Sequence, residues 1–210
     1  MVAPWGNYEG IPQRLALANE NLVEKKLPDC EYTRLTINVP STVKLIAKGE
    51  FSSYVKGISK ELNTLKYTCS NGEFEIDSES QVTLSKGFTF ELSNDQISRL
   101  TLNGAQKVDV RELTAKSFTV ILNGASNTVL QGQVGNLTVL LSGSAQLEAT
   151  DLMSQNGKIN IDGSGSVRLN VYSELNGFVN GSGRIEYLSS PKLLKQKIIG
   201  SGSISLARRE

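Results

Sequence analysis

The turn Asp162-Gly163-Ser164-Gly165 lies between two stretches that alternate apolar and polar residues, Ile159 to Asp162 and Ser166 to Val171. Glycine takes positive φ without a Cβ penalty, so this is a strand, a sharp corner and a second strand. The unit recurs. With its first glycine as marker, the equivalents are Gly104, Gly124, Gly143, Gly163, Gly181 and Gly200, spaced 20, 19, 20, 18 and 19 residues apart. A period near 20 held over half a chain predicts a solenoid, in which each repeat buries its apolar face only by stacking on its neighbours.

Columns read against the marker support this. Two residues before it stand Leu102, Leu122, Leu141, Ile161, Val179 and Ile198; four after it stand Val108, Thr128, Leu147, Val167, Ile185 and Ile204. Six after it come Val110, Leu130, Ala149, Leu169, Tyr187 and Leu206. Apolar columns of this kind are what a coiled parallel sheet produces, because equivalent residues of successive rungs lie only about 4.8 Å apart. The residue before the marker is polar until the last repeat (Asn103, Asn123, Ser142, Asp162, Asn180, then Ile199), and the one after it is always small. Gly165, Gly183 and Gly202 add a second glycine to the last three turns. These positions read as structural corners. With no helix behind it, a repeated G-S-G is neither a phosphate loop nor a nucleophile turn.

Before the regular half the pattern is looser. Pro12 to Lys26 carries good helix formers with Leu15, Ala18 and Leu22 at helical spacing, which predicts a short helix capping the first rung. Period-2 alternation starts near Tyr32, giving an organisation of residues 1–30 as cap and 31–210 as one all-β domain, a single-stranded right-handed parallel β-helix with rungs of about 18–20 residues. Asn71-Gly72 supplies a turn, Val82 and Leu84 continue the alternation, and Pro191 marks a bulge or loop, since it cannot donate to a ladder. Cys30 and Cys69 either pair, closing a loop worth roughly 4 kcal/mol, or remain two partly buried thiols.

Composition removes whole classes of chemistry. With no histidine there is no Ser-His or Cys-His dyad and no histidine metal ligand. Two cysteines are too few for a zinc site, so no metal or cofactor is expected. A net charge of +1 (22 basic, 21 acidic) gives no reason to propose nucleic acid as a partner, and no apolar run is long enough to span a membrane. The balance hides an asymmetry: residues 71–110 carry seven acidic and three basic side chains, residues 184–210 six basic and two acidic. A basic last rung ending Arg208-Arg209-Glu210 discourages edge-to-edge stacking.

Three turns, Ile161-Asp162-Gly163-Ser164-Gly165, Val179-Asn180-Gly181-Ser182-Gly183 and Ile199-Gly200-Ser201-Gly202-Ser203-Ile204, with Arg184 to Pro191 before the last, resemble the C-terminal signature of the bacterial putative autotransporter adhesin, head GIN domain family. Tyr32 to Ile37, Val43 to Leu45 and Leu65 to Ile76 are similar to its upstream part, so the resemblance covers about residues 31–206. It implies a parallel β-helix on the envelope side of bacteria, exported to the periplasm, outer membrane or surface. It brings no catalytic residues. Ser189 stands where the family often has glycine.

The expected function is a non-enzymatic surface protein, an adhesin or interaction scaffold whose partner is a surface glycan or envelope protein. Two alternatives belong to other classes. A polysaccharide-cleaving β-helix enzyme would need converging carboxylates, for which Glu148 and Asp151, with Asp109, are the best candidates. An end-to-end polymerising scaffold would exploit the opposite charges of the two regions.

Overall fold

The computed structural model describes residues 22–79 and 87–207, and most of them are extended. In chain order the strands are β1 (Leu22–Lys26), β2 (Arg34–Ile37), β3 (Ser41–Ile46) and β4 (Ser52–Ile58), followed by one helical turn, α1 (Ser59–Leu62). Then come β5 (Leu65–Ser70), β6 (Glu73–Ser78), β7 (Phe88–Ser93), β8 (Arg99–Gly104), β9 (Gln106–Gly124) and β10 (Asn127–Gly143). The last are β11 (Gln146–Gly163), β12 (Ser166–Gly181), β13 (Arg184–Tyr187), β14 (Leu193–Gly200) and β15 (Ser203–Leu206).

Each of β9 to β12 is nearly a whole rung. They pair in parallel and keep register over the segments that lead into the marker glycines, so Gly104, Gly124, Gly143, Gly163, Gly181 and Gly200 form one stack. The molecule is therefore a parallel β-helix, with the chain breaking out of strand between β13 and β14 around Pro191.

Between the rungs runs one core. Leu102, Leu122, Leu141, Ile161 and Val179 stack on one inner wall, and Val108, Thr128, Leu147, Val167 and Ile185 on another, all buried. Each buried aliphatic chain is worth roughly 1.5 to 3 kcal/mol, which offsets the entropy of ordering so extended a backbone. Thr128 is the polar exception, fully buried with its Oγ1 unbonded. Replacing it with valine keeps the shape and removes an unsatisfied hydroxyl. Thr128→Val is therefore expected to stabilise by about 1 kcal/mol, raising the thermal midpoint by about 2 to 4 °C. An unchanged or lower midpoint in a calorimetric scan would show that the hydroxyl is satisfied.

A second corner appears that no glycine column announces. Between the partner pairs Val110↔Leu130 and Leu113↔Gly132, β9 has two residues (Arg111, Glu112) where β10 has one, Gln131. Glu112 and Gly132 both take positive φ there, +56° and +137°. The bend separates a short third side, Leu113, Val134 and Leu152, from the two main walls.

The first rungs are stacked out of sequence order. β2 and β3 lie between β6 and β7 on one side and β8 and β9 on the other. Alternation identifies a segment as rung but carries no information on which rung it neighbours, because the parallel ladder is the same for any pair. Side chains follow the spatial order: Asn38 donates to Glu75 on β6 at 2.7 Å and accepts from Asn103 on β8 at 2.7 Å, and Asn103 accepts from Asn123 at 2.8 Å.

This end is closed by antiparallel strands. β5 pairs β6 through a hairpin at Asn71-Gly72, both at positive φ, while β4 covers β7 and β1 covers β4. The expected cap helix is corrected over Leu22–Lys26, which is strand β1; the rest of that segment, like Val82, Leu84 and Arg208 to Glu210, lies outside the described residues. Pairing with β4 gives the peptide groups of β1 that face it ladder partners, which outweighs a weak helical spacing. Lys56 of β4 links Glu24 and Glu91 at 3.0 Å each, and with Lys44 it holds Glu91 below the usual carboxylate range.

The opposite end has no such cover among the described residues. Leu193, Ile198, Ile199 and Leu206 of the last rung are 41% to 49% exposed. Leu193 and Ile199 continue outward columns that are polar in the preceding rungs: Asn136, Asn156 and Glu174 for one, Asp162 and Asn180 for the other.

Candidate functional site

The glycine turns build a corner. Each marker glycine has φ between +110° and +128°. The amide after it donates to the marker carbonyl of the preceding rung: Ala125 to Gly104, Ser144 to Gly124, Ser164 to Gly143 and Ser182 to Gly163, each at 2.9 Å. A Cβ on Gly165 would lie 2.5 Å from Leu141 Cδ2, one on Gly183 2.6 Å from Ile161 Cγ2, and one on Gly202 2.5 Å from Val179 Cγ1. Asp162 accepts a hydrogen bond from Asn180 at 2.6 Å, and Ser164 points to solvent. The corner column holds ladders together and presents no converging reactive groups.

The lateral faces carry the outward side chains in register. On one, Asn156 donates to Asn136 at 2.9 Å, with Ser117 on the adjoining rung. On the other, Arg168 bridges Glu148 and Glu186, at 3.2 Å to each. The carboxylates considered for catalysis are engaged structurally. Glu148 pairs with Arg168, Asp151 accepts from Gln131 at 3.4 Å, and Asp109 binds Arg111 at 2.7 Å. Asp109 and Glu148 are separated in the stack by Val129. Groups of three carboxylates or thiols able to hold a metal do not occur among the described residues.

Near the closed end a cleft of about 510 Å³ opens beside the disulfide that joins Cys30 to Cys69, whose Cα atoms are 5.9 Å apart. Its frame is fixed by hydrogen bonds. Buried Asn94 donates to Tyr32 O at 2.8 Å and accepts the Gln96 amide at 2.8 Å, while Thr33 N–H donates to Gly72 O at 3.0 Å. Tyr32 itself is buried, edge-on to Phe51 with ring centres 5.5 Å apart and tilted against Phe74 at 5.4 Å. Apart from Tyr32 and Gly72, the residues lining the cleft lie in loops that alternation leaves unassigned, and the out-of-order stacking of β6 and β7 brings them together.

Burial pushes the Tyr32 phenol up to about 12, against an opposing pull from Asn94 and Ser53. Its stabilising contribution is full below pH 10, where the unfolded chain is also neutral, and is lost as pH rises from about 10 to 12. Stability is expected to fall by roughly 2 to 3 kcal/mol across that window through Tyr32. Tyr67, also raised to about 12 by burial, acts in the same direction. Denaturant midpoints from pH 9 to 11.5 read this, and a Tyr32→Phe protein that loses stability as steeply as the parent would overturn the assignment.

Comparison with known proteins follows the fold closely. The family model described as putative auto-transporter adhesin, head GIN domain, matches residues 31–191. A crystal structure of a putative adhesin from Bacteroides fragilis superposes with a TM-score of 0.72 at 14% identity, covering 90% of this chain and 98% of the other. Structures of a putative adhesin and a putative lipid binding protein from Parabacteroides distasonis give TM-scores of 0.52 and 0.50 at 15% and 17% identity, with the same coverage. At such identities the likeness is one of fold. No curated protein matches the chain.

Proposed function

We propose, from the premise that this chain belongs to the putative auto-transporter adhesin, head GIN domain family, that it is a non-enzymatic envelope or surface protein that holds a partner against the flat faces of its β-helix. The observation that carries this reading is the parallel stacking of β9 to β12, which keeps register along each main wall and shifts only around the second bend. It turns each lateral face into a rigid sheet whose outward side chains repeat at rung spacing. Such a face presents many aligned polar contacts at little ordering cost, which suits recognition of an extended surface. The engagement of Glu148, Asp109 and Asp151 with neighbouring side chains favours this over polysaccharide cleavage. A role outside the cytoplasm is consistent with the disulfide.

The test is an array of glycans and matrix proteins probed with the whole chain, together with adherence of coated beads to cells. Saturable binding to at least one surface class is expected. Absence of all binding and adherence would reject the adhesive role and leave that of a scaffold.

End-to-end assembly is a second reading, favoured by the exposed apolar side chains of the last rung. Light scattering that grows with concentration supports it, and a monomer that persists at high concentration and low salt rejects it.

A further inference from the structure

We infer that the cleft formed by Glu31, Tyr32, Thr33, Phe51, Asp95 and Gln96 is a binding site for an uncharged pyranose sugar. The inference rests on the adhesive reading and adds to the lateral faces a second contact place, at the closed end, with one ligand class.

The first observation is about partners. Nearly every described carboxylate is tied to a neighbour: Asp29, Glu73, Glu112, Glu174 and Glu186 by ion pairs, Glu75, Asp151 and Asp162 by amides, and the rest in similar ways. Among the described residues the carboxylates without a partner are Glu31, Glu50 and Asp95. Two of these three face one cleft. The acceptors of Glu31 and Asp95 are therefore open to a ligand in the cleft, whereas Glu50 lies outside its lining.

The second is the mixture of groups. Thr33 and Gln96, both exposed, add a hydroxyl and an amide that donate as well as accept, and their side chains also have no partner among the described residues. An ammonium ion has donors only, so it could use the acceptors of these groups and of the two carboxylates but would leave the Thr33 hydroxyl proton and the Gln96 N–H groups without a partner. An anion would meet two carboxylates and no lysine or arginine on the lining. Hydroxyls of a neutral sugar use acceptors and donors together.

The third is the aromatic floor. Phe51 is 38% exposed and held edge-on by buried Tyr32, so it offers an apolar surface in a fixed orientation. A pyranose has an apolar C–H face and a polar rim, and here an apolar ring is bordered by polar side chains. A volume of about 510 Å³ falls in the range of small-ligand sites. Asn94 locks the two loops that carry Tyr32 and Gln96, so the cleft exists before any ligand arrives.

The test uses the whole chain with methyl glycosides of glucose, galactose, mannose and N-acetylglucosamine and their β-linked disaccharides, read by saturation-transfer NMR and calorimetry. Spermidine and a galacturonic acid trimer are the cationic and anionic controls. At least one neutral sugar is expected to bind, and the acidic trimer at least about tenfold more weakly. Phe51→Ala is expected to weaken sugar binding about tenfold or more. Because Phe51 also packs on Tyr32, the isosteric pair Glu31→Gln with Asp95→Asn provides a variant that keeps the fold, and it is expected to weaken binding about tenfold as well. Sugar affinity unchanged in both variants would overturn the site while leaving surface adhesion intact. Binding of spermidine or the acidic trimer in preference to every neutral sugar would overturn the ligand class. If the parent binds no sugar yet its coated beads still adhere, the site fails alone; if neither occurs, the adhesive reading fails with it.

Discussion

Replacing Gly163 with alanine is expected to destabilise the protein by about 3 kcal/mol or more, from two causes that add. Gly163 sits at φ +127°, a region that costs an L residue about 1 to 3 kcal/mol. The added Cβ would also lie 2.5 Å from the Gly143 carbonyl oxygen, the atom that accepts the Ser164 amide. Relief requires the rungs to part at the corner. That breaks a ladder bond and opens the Leu141–Ile161 contact behind it, which places the change among the severe class. Ser164→Ala, one residue on, is the control: its hydroxyl points to solvent and a change within about 0.5 kcal/mol is expected. Urea unfolding of the two variants beside the parent decides the matter. A Gly163→Ala protein within 1 kcal/mol of the parent would mean that the stack yields at little cost, and the glycine column would lose its explanation.

The same corner shows how much of the fold was legible. Glycines at one-rung spacing, with Leu141, Ile161 and Val179 two residues ahead, are a local signal repeated in sequence, and parallel pairing in register follows because repeat spacing and rung length are the same quantity. The bend at Glu112 and Gly132 was not legible, since the extra residue in β9 shifts the register without leaving a repeating mark. Nor was the insertion of β2 between β6 and β8 and of β3 between β7 and β9, where pairing partners are set by packing over long sequence distances. The inward columns also faded where the sequence still looked regular: Ile198 and Leu206 fit their columns yet stay exposed, because no further rung covers them among the described residues. The cleft was hidden for a related reason. Glu31, Phe51 and Asp95 lie outside any periodic pattern, and only the out-of-order rungs make them neighbours.

Removing the Cys30–Cys69 bond is the other large effect expected. The bond closes a loop across a separation of 39 residues, for which the chain-entropy relation gives about 4 kcal/mol. Its position explains why the fold uses it. β5 is an edge strand paired only with β6, and Cys30 lies in the segment that leads into β2, which pairs β6 from the other side. The bond therefore ties the outer edge of the first rungs to the chain entering the second, across the place where sequence order and stacking order diverge. In a stacked array each rung is held by its neighbours, so the loss should fall on this end first. Cys30→Ser with Cys69→Ser is expected to lower stability by about 4 kcal/mol and the thermal midpoint by roughly 8 to 16 °C. Hydrogen exchange should quicken in β2, β5 and β6 while β10 and β11 stay protected. Reduction of the parent should reproduce both results, and because Cys30 adjoins Glu31 it should also loosen the first wall of the cleft. A loss below about 1 kcal/mol, or exchange that quickens evenly along the whole stack, would show that the β-helix holds its first rungs without the bond.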